Sequence, residues 1–242
     1  MHALKQWLKQ GNSPLARRGF RLAKGLLHAQ LPLIPGLHHG LYSLHRLSTS
    51  LMANLLRCLW WTPLLQSRLV SPAPRLYLYG GLPAILGPLD IRLGADCTLA
   101  GRTTLSGRTA AKSRPQLIVG EHCGIGWGCS VAVGRRVVLG NNVRLAANCF
   151  LAGYPGHPLD AAERARNLPE HDEQVGDILL DDDVWLGTGV MVMSGVHIGA
   201  GTVVAAGSVV TRDLPAGVLA GGSPARVIRS LLPGLQACGG AA

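Results

Sequence analysis

The sequence predicts a parallel β-helix, for three reasons. Every sixth residue from Leu180 to Val210 is aliphatic: Leu180, Leu186, Val192, Ile198, Val204 and Val210. Four residues after each sits a second inward-compatible side chain, Val184, Val190, Val196, Thr202, Ser208 and Leu214, while Gly187, Gly199 and Ala205 follow three of the aliphatics directly. The chain also holds 32 glycines against two phenylalanines, which suits tight corners and a core of stacked aliphatics better than an aromatic cluster. A period of six matches neither the 3.6 residues of a helical turn nor the alternation of a single strand. It matches one short flat side plus a corner, so three sides close a coil of about 18 residues and each strand pairs with the coil above.

Taken in chain order, residues 1–75 form a basic, leucine-rich region. Residues 1–89 carry ten Lys or Arg and no acid, whereas the rest of the chain carries thirteen of each sign, so the whole net charge of +10 belongs to the N-terminal third. A helix is expected over residues 13–31, entered through Ser13 with Pro14 in its first turn. It turns Leu15, Leu22 and Leu26 to one side and Arg17, Arg21, Lys24 and His28 to the other. A second helical stretch, Leu37 to Trp61, repeats Leu37, Leu41, Leu44, Leu51 and Leu55 and ends in Trp60 and Trp61. Two readings of this region stand side by side. One is an amphipathic segment lying on an anionic membrane surface, the other a helical cap over the first coil, which every β-helix needs. The missing acids favour membrane contact, and the Leu and Trp content favours lipid over nucleic acid, so no nucleic-acid partner is expected. A membrane span is not expected, because Pro32 and Pro35 interrupt the longest uncharged stretch and Leu47–Leu56 is too short to cross a bilayer. Nor is a secretory signal, since Gln, Lys and Arg interrupt the start repeatedly.

The coils occupy residues 76–230. Upstream of the unbroken run, the repeat continues in blocks: Leu93, Leu99, Leu105; Val119, Ile125, Val131; Leu139, Leu145, Leu151. About five coils are expected from Leu93 to Pro215, with a ragged leading coil from near Leu76. The register slips near Ala111–Leu117, by two residues around Val137 and Val138, and by a long excursion from about Gly153 to Asp177. Insertions are tolerated at corners, so these are expected to project as loops. Cys97, Cys123, Cys129 and Cys149 occupy the small inward position, four residues after a repeating aliphatic, and no CxxC occurs. They read as reduced packing residues, compatible with a reducing cytoplasm. Residues 231–242 read as a flexible tail.

Chemistry is expected where the coil is interrupted, and the excursion contains Tyr154-Pro-Gly-His157-Pro-Leu-Asp160 followed by an acidic run. With the hexad repeat, this element, the segment Asp183-Val-Trp-Leu-Gly187, the run Ala206-Gly-Ser-Val-Val-Thr-Arg-Asp-Leu-Pro215 and Gly222-Ser-Pro-Ala-Arg-Val-Ile-Arg229 resemble the hexapeptide-repeat acyltransferases, closest to the branch of sugar and polysaccharide O-acetyltransferases. The resemblance covers roughly residues 80–230 and leaves residues 1–75 outside it.

It implies a left-handed β-helix, a sense that runs against the usual rule for parallel crossovers, together with a homotrimer and acetyl-CoA held between neighbouring subunits. By position, His157 matches the general base. Trp185, Gly187 and Thr188 match the coil lining the thioester channel; Ala206, Thr211 and Arg212 match contacts to the pantetheine and phosphates; Arg226 and Arg229 match the cations near the nucleotide end. The plainer alternative for Arg226 and Arg229 is a helix face after the final coil, and for Trp185 packing between subunits. The chemistry agrees with the carry-over: an alcohol needs a neutral imidazole to take its proton as it attacks a thioester, and histidine is the residue type that titrates near neutrality.

One departure bears on the acceptor. The sugar acetyltransferases tend to carry an acidic acceptor-binding residue in the coil before the histidine loop, whereas this chain has Arg135 and Arg136 there, with Asn148 nearby. An acceptor bearing phosphate or carboxylate, such as a lipid-linked glycan or an acidic polysaccharide, suits those arginines better than a neutral hexose. The function expected is therefore O-acetylation of a saccharide intermediate, cytoplasmic and peripheral at the inner membrane face. No metal is expected, because His122, His157 and His197 lack the paired spacing that the metal-dependent hydratases of this fold need. Serine acetylation fits poorly, its resemblance calling for an acidic helical N-terminal domain. The alternative is a non-catalytic β-helix scaffold that docks through its basic N-terminus.

Overall fold

The structure, a computed structural model, describes residues 14–231. The expected Ser13 cap and all but the first residue of the tail lie outside the described residues. The chain divides into two compact units, Met1–Ser50 and Leu51–Ala242.

In the first unit, helix α1 spans Pro14–Leu27, shorter at its C-terminal end than the spacing predicts, and helix α2 starts at Pro35 and runs to Leu56, across the division. Both start on a proline, whose fixed φ and missing N–H suit a first turn. In the second unit the backbone leaves α-helical hydrogen bonding for one π turn, Arg57–Trp61, and then forms a short helix α3, Thr62–Gln66. The Gln66 side chain ends this segment by donating to the Ala73 carbonyl (2.7 Å) and accepting from the Ala73 N–H (2.9 Å). Leu65, Ala73 and Leu76 belong to the buried core, with Trp61 and Leu69 packed against it. Residues 61–76 thus cover the open end of the first coil, a requirement of any β-helix.

Nineteen strands follow among the described residues, and as far as β17 every third one joins the same sheet. Face A orders β1 (Tyr77–Tyr79), β4 (Thr98–Ala100), β7 (Gly124–Ile125), β10 (Arg144–Leu145), β13 (Trp185–Leu186), β16 (Val203–Val204), β18 (Val218–Gly222) and β19 (Ala225–Ser230). Face B orders β2 (Ala84–Leu86), β5 (Thr104–Gly107), β8 (Ser130–Val133), β11 (Phe150–Ala152), β14 (Met191–Met193) and β17 (Val209–Val210). Face C orders β3 (Asp90–Leu93), β6 (Gln116–Val119), β9 (Arg136–Leu139), β12 (Ile178–Leu180) and β15 (His197–Ile198). All pairs are parallel except the last, β18 with β19. Five complete coils run from Tyr77 to Ile198, and a sixth closes through the bridge of Leu214 to Ile198.

The register is the one the repeat predicts. On face A, Leu99, Ile125, Leu145, Leu186 and Val204 stack in one column. On face B, Leu105, Val131, Leu151, Val192 and Val210 do the same. On face C, Leu93, Val119, Leu139, Leu180 and Ile198 do so. All of these side chains are buried, and burying a Leu, Ile or Val contributes about 1.5–3 kcal/mol. The four repeat cysteines are free and buried, and each thiol donates to a carbonyl of the next coil: Cys97 to Gly120 (3.2 Å), Cys123 to Gly140 (3.0 Å), Cys129 to Ala146 (3.0 Å) and Cys149 to Gly187 (3.3 Å). Thr202 does this at its own level, donating to Pro215 (2.6 Å), so Cys and Thr serve as interchangeable corner donors.

The three corners differ. Gaps at the A–B and C–A corners stay at three or four residues throughout, whereas the B–C corner carries both large insertions, 108–115 and 153–177. The A–B corner is closed by left-handed residues in successive coils, Gly128, Asn148, Gly189 and Gly207. Their N–H groups bond the coil below, as in Asn148 to Trp127 (2.7 Å), Gly189 to Ala147 (2.9 Å) and Gly207 to Thr188 (2.8 Å).

Candidate active site

The excursion Gly153–Asp177 leaves face B after β11 and returns to face C at β12. His157 lies in its first quarter, exposed, after Gly156 at φ +82°. The imidazole makes no hydrogen bond within the described residues, yet the backbone that follows it is fixed. Asp160 caps helix α4 (Ala161–Ala165) by accepting from the Glu163 N–H at 2.9 Å, and Arg164 reaches back to donate to the carbonyls of Pro158, at 3.0 Å, and Leu159. Glu163 in turn meets His171 at 2.7 Å, and that hydrogen bond holds the His171 imidazole above its ordinary titration range. His157 is thus displayed free on a short, internally bonded segment.

The far end of the excursion is anchored by a buried ion pair. The Arg108 guanidinium binds the Glu170 carboxylate and donates to the Glu170 carbonyl (2.7 Å) and the Asp172 carboxylate (2.6 Å). Lys112 reaches the same Asp172 at 2.9 Å. Hydrogen bonds from Lys112 first and Arg108 second hold the Asp172 carboxyl well below the usual range, at about 2. Arg108 and Lys112 belong to the smaller insertion, so the two insertions of the B–C corner are tied to each other. Sequence periodicity could not find this pair, whose members lie 62 residues apart outside the repeat.

Arg135 and Arg136 stand at the same corner. Arg135 donates to the Val175 carbonyl at 2.7 Å, and Arg136 pairs with Asp177 at 3.0 Å. With Asp90, Ser113, Arg114 and Gln116 they line an open groove of about 470 Å³. Arg114 pairs with Asp90 at 2.7 Å, so three guanidiniums face two carboxylates and the groove keeps net positive charge. Asn148 sits elsewhere, exposed in the left-handed position of the A–B corner.

The remaining expected residues fall into two groups. Trp185 is an outward residue of face A, 52% exposed, and Gly187, Thr188 and Ala206 follow it around the A–B corner. Thr211 and Arg212 are exposed at the B–C corner, beside Asp213, whose carboxylate accepts from the His197 N–H at 2.8 Å. Arg226 and Arg229 are exposed on β19, so the segment after the final coil is a strand turned back on face A and not a helix. Register joins Trp185 to Val203, Leu219 and Arg229 in one outward column, three strand steps or about 14 Å long. One chain therefore brings Trp185 and Arg229 onto a common face but leaves His157, Thr211 and Arg212 at a different corner.

Residues 177–212 match the family model described as bacterial transferase hexapeptide (six repeats), and residues 116–152 match that of the hexapeptide repeat of succinyl-transferase. A Saccharomyces cerevisiae protein whose name proposes an acetyltransferase, YJL218W, is 37% identical over 76 residues, 31% of this chain and 37% of that protein. The match thus spans well under half of the length of that relative. Among solved structures, a mutant of AntD, an N-acyltransferase from Bacillus cereus in complex with dTDP and coenzyme A, is 16% identical, covers 69% of this chain and 87% of its own, and superposes with a TM-score of 0.54, which shows a shared fold. A maltose O-acetyltransferase from Clostridium difficile 630 is 26% identical over 70% of this chain and 74% of its own, with a TM-score of 0.38. The stacked hexads and the two repeat matches lead to one conclusion: over residues 116–152 and 177–212 the chain carries the hexapeptide repeats of bacterial transferases.

Proposed function

We propose that the protein is an acetyl-CoA-dependent O-acetyltransferase acting on an acidic saccharide or lipid-linked glycan, with His157 as general base. The observation that carries this reading is the display of His157: an exposed imidazole without a partner among the described residues, on backbone pinned by Asp160 and Arg164, at the corner where the repeat is broken. A ring nitrogen of neutral His157 accepts the proton of the acceptor hydroxyl while the oxygen attacks the thioester carbonyl. The tetrahedral oxyanion then collapses, the C–S bond breaks, and the imidazolium returns its proton to the departing thiolate, so no acyl-enzyme is needed. A base of this kind contributes about 10²–10⁴-fold in rate.

The donor is read along face A, its adenine-nucleotide phosphates toward Arg226 and Arg229 and its thioester toward Trp185, Gly187, Thr188 and Ala206. Thr211, Arg212 and His157 belong to another corner, so the site is completed in a left-handed β-helical homotrimer, where one subunit's A–B corner meets the neighbour's B–C corner. The groove at Arg114, Arg135 and Arg136 suits a phosphate or carboxylate on the acceptor. The cations of α1 and its exposed Leu15, Leu22 and Leu26 suit an anionic membrane surface, which supports a peripheral location at the inner face of the membrane; among the described residues no helix is long and apolar enough to cross one.

The test is thiol release from acetyl-CoA by the purified chain, with and without an acidic lipid-linked glycan. Acceptor-dependent release is expected, falling about 10²–10⁴-fold in His157→Ala with coenzyme A binding retained. A chain that binds no coenzyme A would favour the scaffold reading instead.

A further inference from the structure

Helix α2 (Pro35–Leu56) buries none of its residues. Along it Leu37, Leu41, Leu44, Ser48, Leu51 and Leu55 are spaced by four, three, four, three and four residues, which is the alternation of the a and d positions of a heptad repeat. The five leucines are 52–62% exposed. At 100° per residue all six fall within an arc of about 80°, drifting about 20° per heptad, the drift that a left-handed supercoil takes up. Leu47 and Met52 lie directly beside the stripe and are likewise exposed, so a seam would be bordered by apolar side chains. We infer that this stripe is the seam of a parallel, in-register coiled coil between copies of this chain.

Charge singles out the occupant. The positions flanking the seam, which include Leu47 and Met52, hold no Lys, Arg, Asp or Glu, so nothing there repels a second copy; the helix's only formal charge, Arg46, lies on the opposite side. A membrane-surface helix carries cations along its flanks, as α1 does with Arg17, Arg18, Arg21 and Lys24 within 14 residues, and α2 does not. Ser48 sets the alignment. Its hydroxyl donates to the His45 carbonyl at 3.0 Å, and in a parallel register Ser48 meets Ser48, whereas an antiparallel one opposes it to Leu44. A single polar residue at an a position fixes register in this way at some cost in stability.

The experiment is cysteine cross-linking of the full chain and does not depend on catalysis. In a background with Cys58→Ser and Cys238→Ser, single Ser48→Cys and Arg46→Cys variants are oxidised mildly and resolved by mass under denaturing conditions. The expected result is a covalent species of twice the chain mass for Ser48→Cys, at least tenfold more abundant than for Arg46→Cys. Equal yields, or no product from either, overturn the proposal. So does a Ser48→Cys thiol that resists cross-linking and is shielded from a water-soluble thiol reagent only when phosphatidylglycerol vesicles are added, since lipid is then the occupant. As a second measurement, Ser48→Leu is expected to tighten self-association by about tenfold or more in sedimentation equilibrium, one apolar side chain replacing the polar layer; an unchanged or weaker association counts against the seam.

Discussion

The A–B and B–C corners of the β-helix are made from the same repeat and do opposite things. At the A–B corner six successive turns keep nearly the same length, small residues face one another, and backbone bonds between coils do the holding. At the B–C corner the turns range from two residues to 25, and side chains do the holding, above all Arg108 with Glu170 and Asp172. A repetitive scaffold can hold an irregular loop only where the loop brings its own bonds. The irregularity is also what frees His157 from the stacking that immobilises residues in the coils.

The largest expected effect tests whether the B–C corner is held separately. Arg108→Leu leaves the Glu170 carboxylate buried without its cation, a change that costs about 3–5 kcal/mol. Hydrogen exchange of residues 153–177 is expected to speed up strongly while the amides of Asn148, Gly189 and Gly207 keep their protection. Equal loss at both corners would mean that the insertion is a continuous part of the coil.

A smaller effect contrasts a glycine from each corner. A Cβ at Gly187 would lie 2.7 Å from the Ala206 backbone nitrogen, so Gly187→Ala must push two coils apart, at about 1–3 kcal/mol. Gly156 has nothing within 4 Å and carries only the strain of its positive φ, so Gly156→Ala is expected to cost about 1 kcal/mol. Urea unfolding of the two variants orders them; a Gly156→Ala protein less stable than Gly187→Ala reverses the comparison.

The smallest effect is one of pH. The Glu163 carboxylate holds His171 protonated above the ordinary histidine value of 6.5, so the stabilisation is complete below that value and is lost as pH rises through the raised one. Limited proteolysis within 153–177 is expected to be faster at pH 8.5 than at pH 6, and Glu163→Gln is expected to abolish the difference. A wild-type rate that does not change across this interval removes the pair from the account.

The coils were legible because their physics is periodic: one aliphatic per side, stacked in register, announces itself in Leu180, Leu186, Val192 and their successors. The role of Cys97, Cys123, Cys129 and Cys149 followed from the same spacing. What the sequence hid is what breaks the period. Arg108 and Glu170 meet across two insertions, and Arg114 and Gln116 join Arg135 and Arg136 only because β6 and β9 lie side by side. The reversal that makes β19 a strand was equally hidden, since an antiparallel return carries no hexad. His157 was singled out as a candidate through its motif; the bonds of Asp160 and Arg164 that fix its neighbours needed coordinates.

That last strand has a consequence for the open edge of face A. A parallel coil ends in a row of unpaired N–H and C=O groups, and another coil could in principle be laid on it without limit. On face A the chain prevents this by folding β19 back across β18 in the opposite direction, with Arg226 and Arg229 on the new outer edge. A parallel newcomer would meet the wrong hydrogen-bond pattern and a row of cations. The reversal works as a terminator of face A, setting an antiparallel edge where the next coil would otherwise be laid.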